Sequence, residues 1–237
     1  MKQVVKVLSV AALMLFAGSN ATAQFRQGVF LNGNIPTGNF ASSISNASVP
    51  LMLGGIGREA NIGFGAGYRA SYRFDVGIGE VAAFVQADLF WNTIDGDIRD
   101  MYAGHNYKSP NYFNVPLLAG VSYLYDELWN DITPYAEFGL GADFFLITSE
   151  GTGKGNERFR YSATPSFAWM IGLGSYFGRH VSAGVYYYGM GKHYLSYTSK
   201  TLSNNTVASL DNTVYNLAST RESRTVGSLA IRIGFHF

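Results

Sequence analysis

The four histidines are the side chains of this sequence best suited to acid–base chemistry. His180 and His236 lie at the ends of hydrophobic runs, His105 lies in a polar segment, and His193 precedes Ser196 by three residues. A histidine, a serine and an acid held together could activate a hydroxyl for acyl transfer. On a β-strand, however, residues three apart point to opposite faces, which argues against a pair formed by His193 and Ser196.

Three carboxylates, Asp95, Asp97 and Asp100, could act as paired acids or bind calcium. The segment lacks the glycine at position 6 and the closing glutamate that a calcium loop requires. The absence of cysteine excludes thiolate zinc sites, iron–sulfur clusters and cysteine nucleophiles. We therefore expect no catalytic residue, no metal site and no cofactor. A divalent ion that bridges the surface to lipopolysaccharide is the alternative.

Glycine-rich segments also suggest phosphate chemistry without supplying its context. Gly63-Phe64-Gly65-Ala66-Gly67 does not lead from a strand into a helix, and Gly151-Thr152-Gly153-Lys154-Gly155 lacks the spacing of a phosphate-binding loop. Within a strand, glycine would instead leave room for larger neighbours.

The N-terminus has the layout of a secretory signal peptide. Two lysines precede an apolar run, Val7–Phe16, and a small-x-small cleavage site follows at Ala21-Thr22-Ala23. This run is too short to span a bilayer as a helix, which needs about 20 residues. The expected organisation is a signal peptide, residues 1–23, followed by one domain, residues 24–237.

The rest of the chain is dominated by alternating hydrophobicity. Only 14% of the residues are charged, against roughly 25% in a typical soluble domain. From Leu229 to Phe237 the odd positions are Leu, Ile, Ile, Phe and Phe, and the even ones Ala, Arg, Gly and His. Such runs extend over 12 residues or more, as membrane-spanning strands of about 9–11 residues in the hydrocarbon require. We therefore interpret the apolar face as facing lipid.

Counting these runs predicts an all-β, eight-stranded antiparallel up-and-down transmembrane β-barrel, so that residues 24–237 form one outer-membrane β-barrel domain. The connections alternate between long and short, which places the long loops outside the cell and both termini in the periplasm. A ten-stranded variant that recruits segments 48–54 or 213–217 is the alternative. The predicted strands are 27–35, 61–74, 80–94, 112–125, 132–148, 159–177, 181–197 and 223–237.

Strand parity places a set of polar residues in the lumen. An eight-stranded barrel is only just wide enough for side chains to fill, so these charges should pair and close the lumen. Because the second and third strands are neighbours, we predict that Asp88 pairs with Arg69 or Arg73; a polar permeation path is the rival interpretation. The predicted lumen residues are Arg69, Arg73, Gln86, Asp88, Glu137, Asp143 and Arg232, with Tyr186, Tyr188 and Lys192 from the seventh strand.

Aromatic residues cluster near both ends of the predicted strands, as in the girdles of membrane barrels. Near the short turns lie Tyr72, Phe74, Tyr123, Tyr125, Trp129, Tyr135, Tyr176, Phe177, Phe235 and Phe237. Near the long loops lie Phe90, Trp91, Tyr112, Phe113, Phe144, Phe145, Phe159, Tyr161, Tyr194 and Tyr197.

With these features the chain resembles the small outer-membrane barrels of the OmpA-transmembrane-domain and OmpX type. The segments Asn34-Ile35-Pro36-Thr37-Gly38-Asn39-Phe40 and Asn114-Val115-Pro116-Leu117 resemble the outer membrane protein beta-barrel domain (porin-family) group. The resemblance implies that the terminal Phe237, with Phe235 on the same face, helps the barrel-assembly machinery to recognise the chain. It implies no active-site residues.

Two classes of function follow. The preferred one is a non-enzymatic outer-membrane protein with a structural or surface-interaction role, whose long loops, 37–60 and 198–222, meet an unknown protein partner. The alternatives are a lipid-modifying enzyme (an acyl hydrolase or transferase) and an accessory barrel of a secretion or gliding apparatus (PorT-like). Besides that partner, we expect contacts with outer-membrane lipid, lipopolysaccharide and the assembly machinery. A formal net charge of +1 argues against nucleic acid.

Overall fold

The computed structural model describes residues 25–44, 55–125, 131–152, 157–201 and 222–237. The predicted signal peptide and both segments considered as additional strands, 48–54 and 213–217, lie outside the described residues, as do Trp129 and the side chain of Tyr197.

Long strands make up most of the described chain, and most of them match runs of alternating hydrophobicity. In chain order they are β1 (Phe25–Thr37), β2 (Gly63–Asp75), β3 (Glu80–Thr93), β4 (Tyr107–Lys108), β5 (Asn111–Leu124), β6 (Ile132–Ile147), β7 (Glu150–Thr152), β8 (Glu157–Ala163), β9 (Ser166–Phe177), β10 (Val181–Thr201) and β11 (Glu222–His236).

Eight of these strands close into a barrel in which every neighbouring pair is antiparallel. The order around the wall is β11-β1-β2-β3-β5-β6-β9-β10, and β10 pairs with β11 to complete the ring. Each wall strand is thus hydrogen-bonded on both sides, which leaves no free edge in the wall. The predicted eight-stranded antiparallel barrel is confirmed.

The predicted sixth strand, 159–177, is divided in the structure. It is interrupted at Thr164 and Pro165 into β8 and β9, and a proline cannot donate a hydrogen bond to a neighbouring strand. Only β9 belongs to the wall. β8 pairs with the outer part of β10, and β7 and β4 continue the same sheet. This sheet extension projects from one end of the barrel.

The two ends of the barrel differ in their connections. We call the end with the short connections 76–79, 125–131 and 178–180 the turn end, and the opposite end the loop end. At the loop end, a 3-10 turn (Gly38–Ala41) follows β1, and helix α1 (Gly96–Gly104) follows β3. No helix in the described part of the chain is long and apolar enough to cross a membrane.

Side chains alternate between the outside and the inside of the wall, as β-geometry requires. On β1, for example, Leu31 is 70% exposed whereas Asn32 is 2% exposed. The exposed face is apolar on every wall strand and includes Val85, Leu173 and Ile233. The inward face carries polar and aromatic side chains.

The predicted aromatic girdles are only partly correct. Phe74, Tyr125, Phe177, Tyr194 and Phe237 are exposed on the outer surface. Several of the others share the inward parity of their strands and are buried instead, because nearness to a strand end does not determine the face. The buried ones are Phe90, Tyr112, Tyr135, Phe145, Tyr161 and Tyr176.

Candidate functional site

The barrel lumen holds the polar side chains that could carry a function, and its central contact is an ion pair that spans the interior. Arg69 on β2 donates from Nη1 and Nη2 to the two carboxylate oxygens of Glu137 on β6, each at 2.5 Å. Arg69 and Glu137 are both 4% exposed. Because β2 and β6 lie three positions apart around the ring of eight, this pair bridges the lumen.

A second cluster surrounds Arg232 on β11. Its guanidinium donates from Nε to Asn32 Oδ1 at 3.1 Å, from Nη1 to Gln86 Oε1 at 3.2 Å, and from Nη2 to the hydroxyl of Tyr188. Asp88 Oδ1 lies 3.5 Å from Arg232 Nη2. These residues come from four strands, so the cluster ties opposite parts of the wall together.

Gln86 joins the two clusters. Its Oε1 also accepts from Arg69 Nε at 3.0 Å, and its Nε2 donates to Asp88 Oδ2 at 2.5 Å and to Tyr188 at 3.1 Å. One amide therefore bonds to both arginine clusters. We call these two clusters, with Gln86, the central layer, and each of its four charged side chains lies opposite a group of opposite charge. This is the arrangement that makes buried charges tolerable.

The predicted pairing of Asp88 with Arg69 or Arg73 is wrong. In the β2–β3 register Asp88 lies opposite Gly67, and Arg69 lies opposite Gln86. Asp88 therefore pairs with Arg232 from β11, and Arg69 reaches Glu137. Neighbourhood along the chain identified the wrong partner because long arginine side chains can cross a lumen of this width.

Aromatic rings fill the space around the arginines. The guanidinium of Arg232 lies between the rings of Phe30 and Tyr186, 3.8 Å and 4.0 Å from their centroids, and that of Arg69 lies 4.1 Å from the centroid of Phe84. Such cation–π contacts stabilise a cation where water is excluded.

Glycines opposite these rings provide the space. A Cβ atom at Gly172 would lie 2.2 Å from the ring of Tyr186, and one at Gly67 would lie 2.2 Å from the ring of Phe30. These inward glycines permit close approach of large rings to the backbone, as expected for a narrow barrel.

A third polar contact lies in the wall nearer the loop end. Asp143 on β6 and His193 on β10 are fully buried, with His193 Nε2 and Asp143 Oδ2 3.1 Å apart. The two ring nitrogens of His193 also lie 2.8 Å from the main-chain oxygens of Thr164 and Met190. Both nitrogens thus face acceptors, so the ring is fixed where β8 ends and β9 begins.

A bulge in β10 explains why His193 is inside the barrel. The register shifts between Gly189 and Lys192, and Gly191 has a positive φ of 74°. This reverses the parity beyond Gly191, so that His193 points inward and Lys192 is exposed. The predicted inward position of Lys192 is therefore wrong; the only hint in the sequence was the Gly189-Met190-Gly191 segment.

The loop end is closed by apolar packing. Phe40 and Ile56, from residues 38–44 and 55–60, are almost fully buried against inward side chains of the wall. The ring of Phe40 lies 5.5 Å from Tyr112 and 5.7 Å from Phe145, centroid to centroid. Arg224 Nε donates to the Ile56 carbonyl at 2.9 Å. We call residues 38–44 and 55–60 the loop-end cap.

The turn end is open and polar. A cavity of about 320 Å³ lies in its mouth. Arg73 belongs to this mouth rather than to the central layer, and its Nη1 donates to Glu80 at 2.9 Å. The cavity is lined by Arg26, Arg73, Glu80, Leu124, Tyr125, Asp131, Thr133, Tyr176, Gly178 and Arg179.

Of the three acidic residues that suggested metal chemistry, Asp95 has a structural role. Asp95 is the N-cap of α1 and accepts from the amide of Asp97 at 2.9 Å, which satisfies a free amide of the first helical turn. In the part of the chain that the structure describes, no group of three or more His, Asp or Glu side chains could hold a metal ion.

An apolar exterior around a polar, side-chain-filled lumen is the architecture of transmembrane β-barrels, and this chain has that architecture. No protein-family model and no curated protein matches the sequence.

Solved structures with a similar fold are small outer-membrane barrels. Neisserial surface protein A (NspA) is 13% identical, with 90% of this chain and 95% of that chain covered and a TM-score of 0.44. The outer membrane enzyme PagL is also 13% identical, with 87% and 97% covered and a TM-score of 0.44. A major outer membrane protein from Thermus thermophilus is 13% identical, with 90% of this chain and 99% of that chain covered and a TM-score of 0.44.

Proposed function

We propose that this chain is an outer-membrane β-barrel protein with a non-enzymatic role, in which a rigid, closed barrel holds its loops for interaction with a partner. The observation that carries the proposal is the pair of arginine clusters that bridges the lumen, Arg69 with Glu137 and Arg232 with Asp88. A barrel whose interior is crossed by paired side chains suits a scaffold better than a channel.

The outer surface of the barrel supports the proposed outer-membrane location. The apolar exterior of the wall strands matches the hydrocarbon of a bilayer, and exposed aromatics at the turn end, such as Tyr125 and Phe177, match its interface. Only a closed barrel or a helix satisfies its backbone hydrogen bonds in lipid. The predicted signal peptide and the long loops support an outer-membrane location with periplasmic termini and extracellular loops.

Planar-bilayer recording tests the closed lumen. The purified protein should give closed or briefly flickering records, because the paired side chains of the central layer cross the lumen. The double variant Arg69→Ala/Glu137→Ala removes the bridge as a pair and should raise the frequency of openings. Large, long-lived openings of the unmodified protein would overturn the proposal.

The enzymatic alternative needs a histidine that activates a hydroxyl. The ring nitrogens of His193 face Asp143 and two main-chain oxygens, and Ser196 is exposed on the opposite face. This geometry argues against His193 as the activating histidine. Incubation with labelled lipid A should leave its acylation pattern unchanged; release or transfer of an acyl chain that is lost in His193→Ala would establish the enzymatic alternative instead.

Affinity capture tests whether the loops bind a protein partner. Affinity capture from intact outer membranes should recover a protein with the unmodified chain and lose it after truncation within 198–222, whereas a PorT-like role would recover secretion or gliding components.

Deletion of Phe237, whose main chain pairs with Gln27 at 2.9 Å, should lower outer-membrane yield more than the truncation within 198–222 does. Equal yields would remove the assembly role of Phe237.

A further inference from the structure

The mouth at the turn end contains more cations than carboxylates among the described residues that line it. In the central layer, two arginines face two carboxylates, Arg69 with Glu137 and Arg232 with Asp88. In the turn-end cavity, three arginines accompany two carboxylates, those of Glu80 and Asp131. Among the described residues, the lining of this cavity thus has one more cation than carboxylates, whereas the central layer is balanced.

Two of these three arginines have no carboxylate partner among the described residues. Glu80 pairs with Arg73. The ion pairs of the described chain include neither Arg26 nor Arg179, and Asp131 is exposed on a turn. Arg26 Nη1 instead donates to the main-chain carbonyl of Arg179 at 3.2 Å, and both arginines line the same cavity. Like charges kept together without a counter-charge are stabilised by an anion that binds between them.

The donors approach the cavity from different sides. Arg26 projects from β1, Arg73 from β2, Thr133 from β6, Tyr176 from β9 and Arg179 from the turn before β10. A tetrahedral oxyanion presents acceptors in several directions, and guanidinium groups match phosphate oxygens through paired hydrogen bonds. A planar carboxylate would use fewer of these donors.

The position of the cavity also fits a phosphate. Tyr125 lines the cavity and is at the same time half exposed on the outer surface, within the ring of turn-end aromatics that includes Phe74 and Phe177. Aromatic rings of this kind lie at the headgroup level of a bilayer. The cavity therefore lies at the depth of lipid phosphates and also opens towards the aqueous phase.

We propose that the turn-end mouth binds a phosphate group between Arg26 and Arg179, with Arg73, Thr133 and Tyr176 as further donors. The phosphate belongs either to a phospholipid headgroup or to a small soluble phosphate. This site is independent of the proposed scaffold role, which rests on the central layer.

Calorimetric titration of the full chain in uncharged detergent micelles tests the site. The probes are inorganic phosphate, dihexanoyl-phosphatidylglycerol and succinate. Arg26→Gln and Arg179→Gln should each weaken phosphate or lipid binding at least tenfold, whereas Arg99→Gln, at an exposed position on α1, should bind as the unmodified protein does. Arg179 is exposed, so its variant keeps the test available if Arg26→Gln fails to fold; unheated gel migration verifies folding.

The pattern of binding separates the two sources. Binding of the lipid but not of inorganic phosphate identifies a headgroup site, and binding of both identifies a general phosphate site. Absence of binding to the unmodified protein, binding of succinate alone, or phosphate and lipid binding that both arginine variants leave unchanged would overturn the proposal.

Discussion

The loop-end half and the turn-end half of the lumen are filled by different chemistry. The loop-end half is closed by apolar packing, in which Phe40 and Ile56 of the loop-end cap lie against Tyr112 and Phe145, although it also holds the buried contact of Asp143 with His193; we call it the apolar half. The turn-end half is charged, from the pair of Arg69 and Glu137 down to the arginine-lined mouth. Apolar packing holds the first half together, and ion pairs hold the second.

This difference separates two kinds of stability. The apolar half is assembled partly from loop residues, which can leave without opening the wall, so its loss should be local. The central layer of the charged half is built from wall strands and bridges opposite sides of the ring. Damage to it should therefore destabilise the whole barrel.

The largest effect is expected from Glu137→Ala. It leaves the guanidinium of Arg69 buried without its carboxylate, and breaking a buried ion pair by removing one partner costs about 3–5 kcal/mol. The matched variant Glu137→Gln keeps hydrogen-bond acceptors and should lose less. The measurement is the unfolding midpoint in urea with detergent, followed by gel migration. Equal midpoints for all three proteins would show that the charged half does not carry barrel stability.

Phe40→Ala tests the apolar half. Loss of a buried phenylalanine ring costs about 3 kcal/mol or more, and because Phe40 belongs to the loop-end cap, the loss should appear as local opening. We expect limited proteolysis within residues 38–44 to accelerate by about two orders of magnitude, with the barrel unfolding midpoint unchanged. Asn39→Ala, at an exposed neighbouring position, is the control. A lowered barrel midpoint would contradict the separation of the two halves.

The sequence predicts the wall better than it predicts the lumen. Alternation identifies all eight wall strands, and it places Arg69, Gln86, Asp88, Glu137, Asp143 and Arg232 on inward positions, where the structure also has them. Alternation does not predict which of these residues form ion pairs, because the contacts of Arg69 with Glu137 and of Arg232 with Asp88 connect strands that are not neighbours. Such pairs depend on closure and register, which periodicity does not contain.

Residues around the bulge and the cap were the least predictable. A single extra residue near Gly191 reverses the side-chain parity, and this exchanges the positions of Lys192 and His193. Phe40 and Ile56 belong to no alternating run, so nothing in their local sequence indicates that they return to close the barrel. Both failures have one physical origin, namely tertiary contacts that act on irregular backbone.

Gly172→Ala tests how tightly the charged half is packed. The added methyl group would meet the ring of Tyr186 at 2.2 Å, and overpacking of this kind costs about 1–3 kcal/mol. The control is Gly33→Ala, where an added Cβ meets nothing within 4 Å and the midpoint should hardly change. If the two variants unfold alike, Tyr186 has room to move and the lumen is looser than its contacts indicate.

The smallest effect is expected at the mouth, where the charged half meets water. The side chains of Arg73 and Glu80 are 11% and 45% exposed, and partly exposed ion pairs contribute at most about 1 kcal/mol. Arg73→Gln should therefore shift the urea midpoint much less than Glu137→Ala does. Salt weakens exposed pairs more than buried ones, so the difference between Arg73→Gln and the unmodified protein should shrink further between about 50 mM and about 1 M NaCl, whereas that of Glu137→Ala should persist. The urea midpoint of Arg73→Gln could instead fall as far, and as independently of salt, as that of Glu137→Ala. The mouth would then be desolvated like the central layer, and the charged half would exclude water as far as the turn end.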